Sequence, residues 1–245
     1  MTSSAHSESQ SPESQSPAAT PRRSTNAAFS IRIVAAIPNK PGNLGRVTTA
    51  IGNAGGNIAS LDMVEFTGQW AIRAITIFAA SEEHGREIAK ALEQVDGVQI
   101  REVVDRTFEL HEGGAITMGG KAPLRDRDDL AMAYTPGVAR ICEAIAADPT
   151  AVHRYTIKKN TVAVVSDGTA ILGLGNLGPE AAIPVMEGKS LLFKEFAGVD
   201  AWPICLNANS VDEIVRAVEQ IAPVFGGINL EDIAAPACFE VEERL

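Results

Sequence analysis

Cysteine is scarce in this 245-residue chain: there are three, Cys142, Cys205 and Cys238, far apart from one another. That number and spacing exclude a disulfide framework and a cysteine-based zinc site. In their apolar surroundings they read as buried small hydrophobes of a reducing, cytoplasmic compartment. His6, His84, His111 and His153 form no ligand-spaced pair. Basic residues are in deficit as well, 21 Lys and Arg against 31 Asp and Glu, a net charge of −10. With no basic block to offset that balance, nonspecific nucleic-acid binding is excluded. A metal or a small anionic substrate is not, because local fields decide those. No apolar run approaches the ~20 residues that span a bilayer, and the N-terminus lacks the hydrophobic core of a signal peptide.

What is present is globular. Hydrophobic residues make up 45% and charged residues 21% of the chain, which is the composition of one or two packed domains. Residues 1 to 28, rich in Ser, Pro, Gln and Ala, cannot bury enough apolar area to offset their ordering entropy and read as a disordered tail. From Phe29 the pattern changes. Ile31, Ile33 and Ile37 form a strand, Pro38 to Gly42 a turn, and Leu44, Val47, Ile51 and Ala54 recur at helical spacing up to Gly55-Gly56. Residues 57–66 and 70–80 read as strands around Thr67-Gly68-Gln69, 82–94 as a helix and 97–106 as a last strand. The order βαββαβ is that of a ferredoxin-like sandwich.

The stretch from Ile37 to Val47, Ile-Pro-Asn-Lys-Pro-Gly-Asn-Leu-Gly-Arg-Val, with Gly55-Gly56-Asn57-Ile58 after it, resembles the ACT domain. The resemblance covers residues 29–107 and implies an amino-acid or similar effector held by Asn39, Gly42, Asn43, Leu44 and Asn57. Independently, Gly42 and Asn43 at a helix N-terminus make an anion-friendly nest. The alternative is an adaptor that only dimerises.

Residues 108–120, with Gly113, Gly114, Gly119 and Gly120, read as a linker to a second domain at 121–245. There Tyr134 precedes Thr135-Pro136-Gly137; the residue before proline is biased to extended backbone, so a loop presents Tyr134. The next helix closes at Asp148-Pro149. Val162 to Val165 and Ala170 to Leu174 flank Asp167-Gly168 and read as a hairpin. Gly173, Gly175 and Gly178 then lead into a helix carrying Lys189. Glycines before a helix N-terminus suit an anion, but a hairpin strand before them argues against a dinucleotide fingerprint, which needs a βαβ unit. Residues 201–206 are a strand, Ser210 to Glu213 have capping-box spacing, and 227–230 are a strand ending at Glu231-Asp232. Adjacent carboxylates at the carboxyl end of a strand suit a hard divalent cation, or merely an acidic loop. A last helix opens at Pro236 and reaches Leu245 with no stop signal, which reads as a cut within an element.

Tyr134 to Ala139, Thr161 to Gly178, Ile183 to Lys189 and Asn229 to Ile233, in this order, are similar to the N-terminal domain of bacterial malic enzymes. With the ACT-like region before it, the chain resembles NAD-dependent forms of that family. The resemblance implies an α/β fold in two domains and oxidation of malate at C2 with loss of C4 as CO2 to leave pyruvate. It assigns Lys189 as general base, Tyr134 as general acid, and Glu231 and Asp232 as two of three carboxylate ligands to Mg²⁺ or Mn²⁺. The third ligand and the NAD domain would follow Leu245, so the choice of NAD over NADP stays open. A homo-oligomer is the expected assembly. The competing reading is a non-catalytic regulatory fragment.

Overall fold

The computed structural model describes residues 24–245. The Ser/Pro-rich stretch up to residue 23 lies outside the described residues. The chain divides into two compact units, one ending at Glu109 and the other spanning Leu110–Leu245. Among the described residues, no helix is long and apolar enough to cross a membrane.

In the first unit, β1 (Asn26–Pro38) leads to α1 (Asn43–Asn53), β2 (Asn57–Phe66), β3 (Trp70–Ala79), α2 (Glu82–Glu93) and β4 (Gln99–Asp105). β1 starts inside the expected tail, so residues 26–28 are strand. The sheet is antiparallel with order β2-β3-β1-β4. Alternation puts Ile31, Ile33, Ala35 and Ile37 of β1 and Ile75, Ile77 and Ala79 of β3 on one face. That face meets Val47 and Ile51 of α1 and Ile88, Ala89 and Leu92 of α2 in one buried core. Gly42 takes φ +87 at the N-cap of α1, whereas Ser81 caps α2 by accepting from the His84 amide. His84 is buried; its Nδ1 accepts from the Ala80 N–H (3.0 Å), which leaves Nε2 to donate to the Ala54 carbonyl (2.7 Å). One imidazole thus ties the ends of α1 and β3 to the start of α2.

Helix α3 (Arg106–His111) follows. Its last residues, 108–111, were expected to be linker and are helical instead. In the second unit, α4 (Arg127–Ala133), α5 (Gly137–Ala147) and α6 (Val152–Tyr155) precede β5 (Thr161–Ser166). Next come α7 (Pro179–Ala197), β6 (Asp200–Cys205), α8 (Val211–Ile221), β7 (Gly227–Leu230) and α9 (Ala237–Arg244). The sheet is parallel, with order β6-β5-β7. Ala163 and Val165 of β5 pack with Ile214, Val215 and Val218 of α8, Phe225, Ile233 and Val241. Val164, also buried, points to the opposite face.

The hairpin expected at Asp167-Gly168 does not form. β5 has β6 on one edge and β7 on the other, so no edge is free for residues 170–174. Those residues make a short 3₁₀ turn at Ile171–Gly173, with Leu172 and Leu174 exposed. The loop closes on itself instead: Leu177 and Gly178 amides donate to the Gly168 carbonyl, and the Ile171 amide to Gly175. β5, α7 and β6 therefore form a βαβ unit, and the objection that the glycines follow a hairpin strand falls. The cysteines also depart from expectation: Cys142 is exposed, and Cys205 and Cys238 are half-buried free thiols.

Candidate active site

In open parallel sheets, ligands gather at the carboxyl ends of the strands where successive connections run to opposite sides. Here that place is the end of β5 beside the end of β7. Glu231 stays in register one residue past β7, its amide donating to the Val165 carbonyl at 2.8 Å. Its side chain is engaged at both oxygens. Lys189 Nζ of α7 lies 3.0 Å from Oε1, and Asn229 Nδ2 donates to Oε2 at 3.1 Å. Helix α7 buries Ala182, Met186 and Ser190, a face at helical spacing, and Lys189 flanks it half-exposed. Just before Lys189 on this helix, Glu187 accepts the Ala115 amide at 2.9 Å.

Asp232 leaves the ladder. Its φ is +51, a left-handed conformation uncommon for a residue with a side chain, and its carbonyl accepts from the Ala170 amide at 3.1 Å. Its Oδ2 is buried and has no hydrogen-bond partner among the described residues. A buried carboxylate oxygen without a donor is costly unless a cation serves it. The donors are hard oxygens of the kind Mg²⁺ and Mn²⁺ prefer. No group of three His, Cys, Asp or Glu is arranged to hold a metal among the described residues.

Tyr134 stands at the C-terminal end of α4, 68% exposed, and its hydroxyl has no partner among the described residues. Lys189 and Glu231 are thus brought into contact and Asp232 follows directly in the chain, while no hydrogen bond joins the Tyr134 side chain to them among the described residues. Sequence reasoning missed two residues here. Asn229 lies two positions before Glu231, on the same face of an extended chain, and that spacing was the available signal. Thr169 is tied to Asp167 and Ala234; only the fold shows the second tie.

The expected effector residues are split in space. Asn39 donates to the Gly68 carbonyl and Asn43 to the Pro38 carbonyl, so both brace the turn before α1. Gly42 lines a cleft of about 530 Å³ with Gly45, Arg46, Thr49, Asn53 and Gln94. Leu44 packs against the core. Asn57 pairs with Phe78, while Pro38 pairs with Trp70. The length of β3 from Trp70 to Phe78 therefore separates Asn57 from the turn, about 26 Å at ~3.3 Å per residue.

Residues 116–245 match the malic enzyme N-terminal domain family. The chain is 56% identical over 199 residues to an NAD-dependent malic enzyme of Geobacillus stearothermophilus, covering 81% of this chain and 42% of the relative. It is 46% identical over 209 residues to NAD-dependent malic enzyme 1 of Bacillus subtilis (strain 168), covering 85% of this chain and 48% of the relative. The crystal structure of malic enzyme from Pyrococcus horikoshii Ot3 superposes with a TM-score of 0.56 at 54% identity, over 57% of this chain and 34% of that one. The chain thus spans less than half the length of these relatives. The family match takes in the whole parallel sheet, Lys189, Glu231 and Asp232, and on that ground the chain belongs to the malic enzyme family.

Proposed function

We propose that this chain carries the malate-handling part of an NAD-dependent, decarboxylating malate dehydrogenase. The observation that carries the reading is the 3.0 Å approach of Lys189 Nζ to Glu231 Oε1, beside the unpartnered Oδ2 of Asp232. Lys189, as the amine, takes the C2 hydroxyl proton while hydride leaves C2 for NAD. The 4-carboxylate of the resulting 2-keto acid departs as CO2, and the C3–C4 electron pair becomes the enolate of pyruvate. Tyr134, whose hydroxyl is exposed and unengaged, delivers the proton to C3. Glu231 and Asp232 would hold a Mg²⁺ or Mn²⁺ ion, which when bound polarises the C2 oxygen and stabilises the enolate. No residue of this chain is assigned to NAD.

The test uses the full-length protein with malate, NAD and Mn²⁺. Lys189→Ala should lower the rate of malate oxidation roughly 10²–10⁴-fold, the scale of a positioned acid or base, at an unchanged melting temperature. A variant that oxidises malate normally removes Lys189 from the mechanism. Tyr134→Phe should chiefly slow tautomerisation of enolpyruvate. Normal tautomerisation with normal stability takes Tyr134 off the catalytic list.

For the first unit we infer an ACT-type role, binding an amino acid or similar effector or packing against a second copy. Support comes from its βαββαβ order and from the cleft where Arg46, Thr49 and Asn53 adjoin Gly42. A panel of amino acids should include one that raises the melting temperature of the wild type and not of Arg46→Ala. If no amino acid has this effect, packing is the remaining role.

A further inference from the structure

The two loops at the carboxyl end of the parallel sheet are joined by one hydroxyl. Thr169 Oγ1 donates to Asp167 Oδ1 at 2.6 Å and accepts the Ala234 amide at 2.8 Å. Asp167 Oδ1 also accepts the Thr169 amide at 3.0 Å. A hydroxyl has a single proton. With that proton on a buried carboxylate, only lone pairs are left to face Ala234, so Asp167 sets the orientation of the hydroxyl. The neighbouring Ala170 amide donates to the Asp232 carbonyl at 3.1 Å. The left-handed Asp232 is therefore held from both sides by consecutive residues of the loop after β5, one bond at its own carbonyl and one at Ala234. A non-glycine residue persists in that conformation only where its surroundings over-determine it.

We propose that Thr169 is a positioning residue for Asp232. Its hydroxyl, oriented by Asp167 and assisted by the Ala170 amide, holds residues 231–234 so that Oδ2 of Asp232 stays clear of protein donors and available to a divalent cation. This rests on the reading of Glu231 and Asp232 as cation ligands. Thr169 itself touches neither substrate nor metal; it acts through the backbone of the turn, as outer-shell groups do in metal sites.

The test has two readouts on the full-length protein. The first is backbone amide exchange at 231–234 without added metal, and the second is Mn²⁺ affinity from the electron paramagnetic resonance of free Mn²⁺. Thr169→Val keeps the branched shape and deletes the hydroxyl; Thr169→Ser restores it. In Thr169→Val the Ala234 amide should exchange at least ~10-fold faster and the Mn²⁺ dissociation constant rise about 10–100-fold, the usual cost of losing an outer-shell partner. Thr169→Ser should return both to wild type. If Thr169→Val does not fold, Thr169→Ala carries the same two expectations. Unchanged Ala234 exchange overturns the tie, and faster exchange with unaltered Mn²⁺ affinity overturns the positioning role. Asp232→Asn separates the premise: if it leaves Mn²⁺ affinity unaltered, or the wild type binds no Mn²⁺, the cation reading falls and this inference with it.

Discussion

Gly168 shows what the loop after β5 demands of single residues. Its φ is +75, and a Cβ there would stand 2.1 Å from the Gly178 carbonyl oxygen, a backbone atom that cannot move aside cheaply. The close approach is what lets Leu177 and Gly178 amides reach the Gly168 carbonyl. Gly168→Ala should therefore cost about 2–4 kcal/mol, since it combines a left-handed backbone with a steric clash. Urea denaturation of the two proteins measures this directly, and equal midpoints would mean that the loop is not packed as described. The substitution also tests the neighbourhood of Thr169, because the same loop carries both residues.

At the scale of elements, α7 must be anchored at its far end for Lys189 to meet Glu231. Gly198, left-handed, ends the helix, and its carbonyl accepts from Asn160 Nδ2 at 2.8 Å. Asp200, which opens β6, accepts from Lys194 Nζ at 2.7 Å and from Asn160 Nδ2 at 3.3 Å. The hydrogen bond from Lys194, with a smaller one from Asn160, holds the Asp200 carboxyl below the ordinary carboxylate range. The folded state thus gives up this group's charge at lower pH than the unfolded state does. Its contribution is fully present above the ordinary value of about 3.9 and is lost as pH falls through the lowered folded value. Half-exposed side chains limit the effect to about 1 kcal/mol or less. Asp200→Asn should therefore be less stable than wild type by a constant small amount above about pH 5, with the gap closing below about pH 4. Chemical denaturation across that range is the measurement; a gap that widens toward acid would reverse the assigned sign.

For the whole molecule, each unit has its own buried core. In the first, Ile33, Val47, Ile51, Ile75, Ile77, Ile88 and Leu92 are all fully buried, and they pack against one another. Residues 24–109 expressed alone should therefore unfold in one cooperative urea transition. A shallow, featureless loss of far-ultraviolet circular dichroism would show that this core depends on the rest of the chain. In a chain of residues 24–245 two transitions are expected wherever the stabilities of the two units differ.

Local order was legible in the sequence wherever one period or one cap decided it. The alternation of Ile31, Ile33 and Ile37, the helical recurrence of Val47 and Ile51, and the Ser210 cap, which accepts from the Glu213 amide, all describe interactions within a few residues. Glu231 and Asp232 carried a cation reading from their place at the carboxyl end of a strand, but an acidic loop fitted that place equally; the roles expected of them and of Lys189 came only with the family resemblance. Distant pairing was not legible. Asp167-Gly168 carries the same turn signal whether the chain doubles back or crosses over, and the outcome depends on β6 and β7 occupying both edges of β5. Asn57 resembled an effector residue but stands at the far end of β3, because strand register rather than sequence separation sets distance. The Thr169 tie to Ala234 arises in the same way, from parallel strands whose loops emerge side by side, and the Lys189–Glu231 contact from the crossover helix α7 between β5 and β6. Sequence alone determined the longer helices and most of the strands, because their signals are short-range, whereas the short helices α3, α4 and α6 carry too few residues for a period to show. The tertiary structure decided which loops meet, because that depends on strand order and edge occupancy.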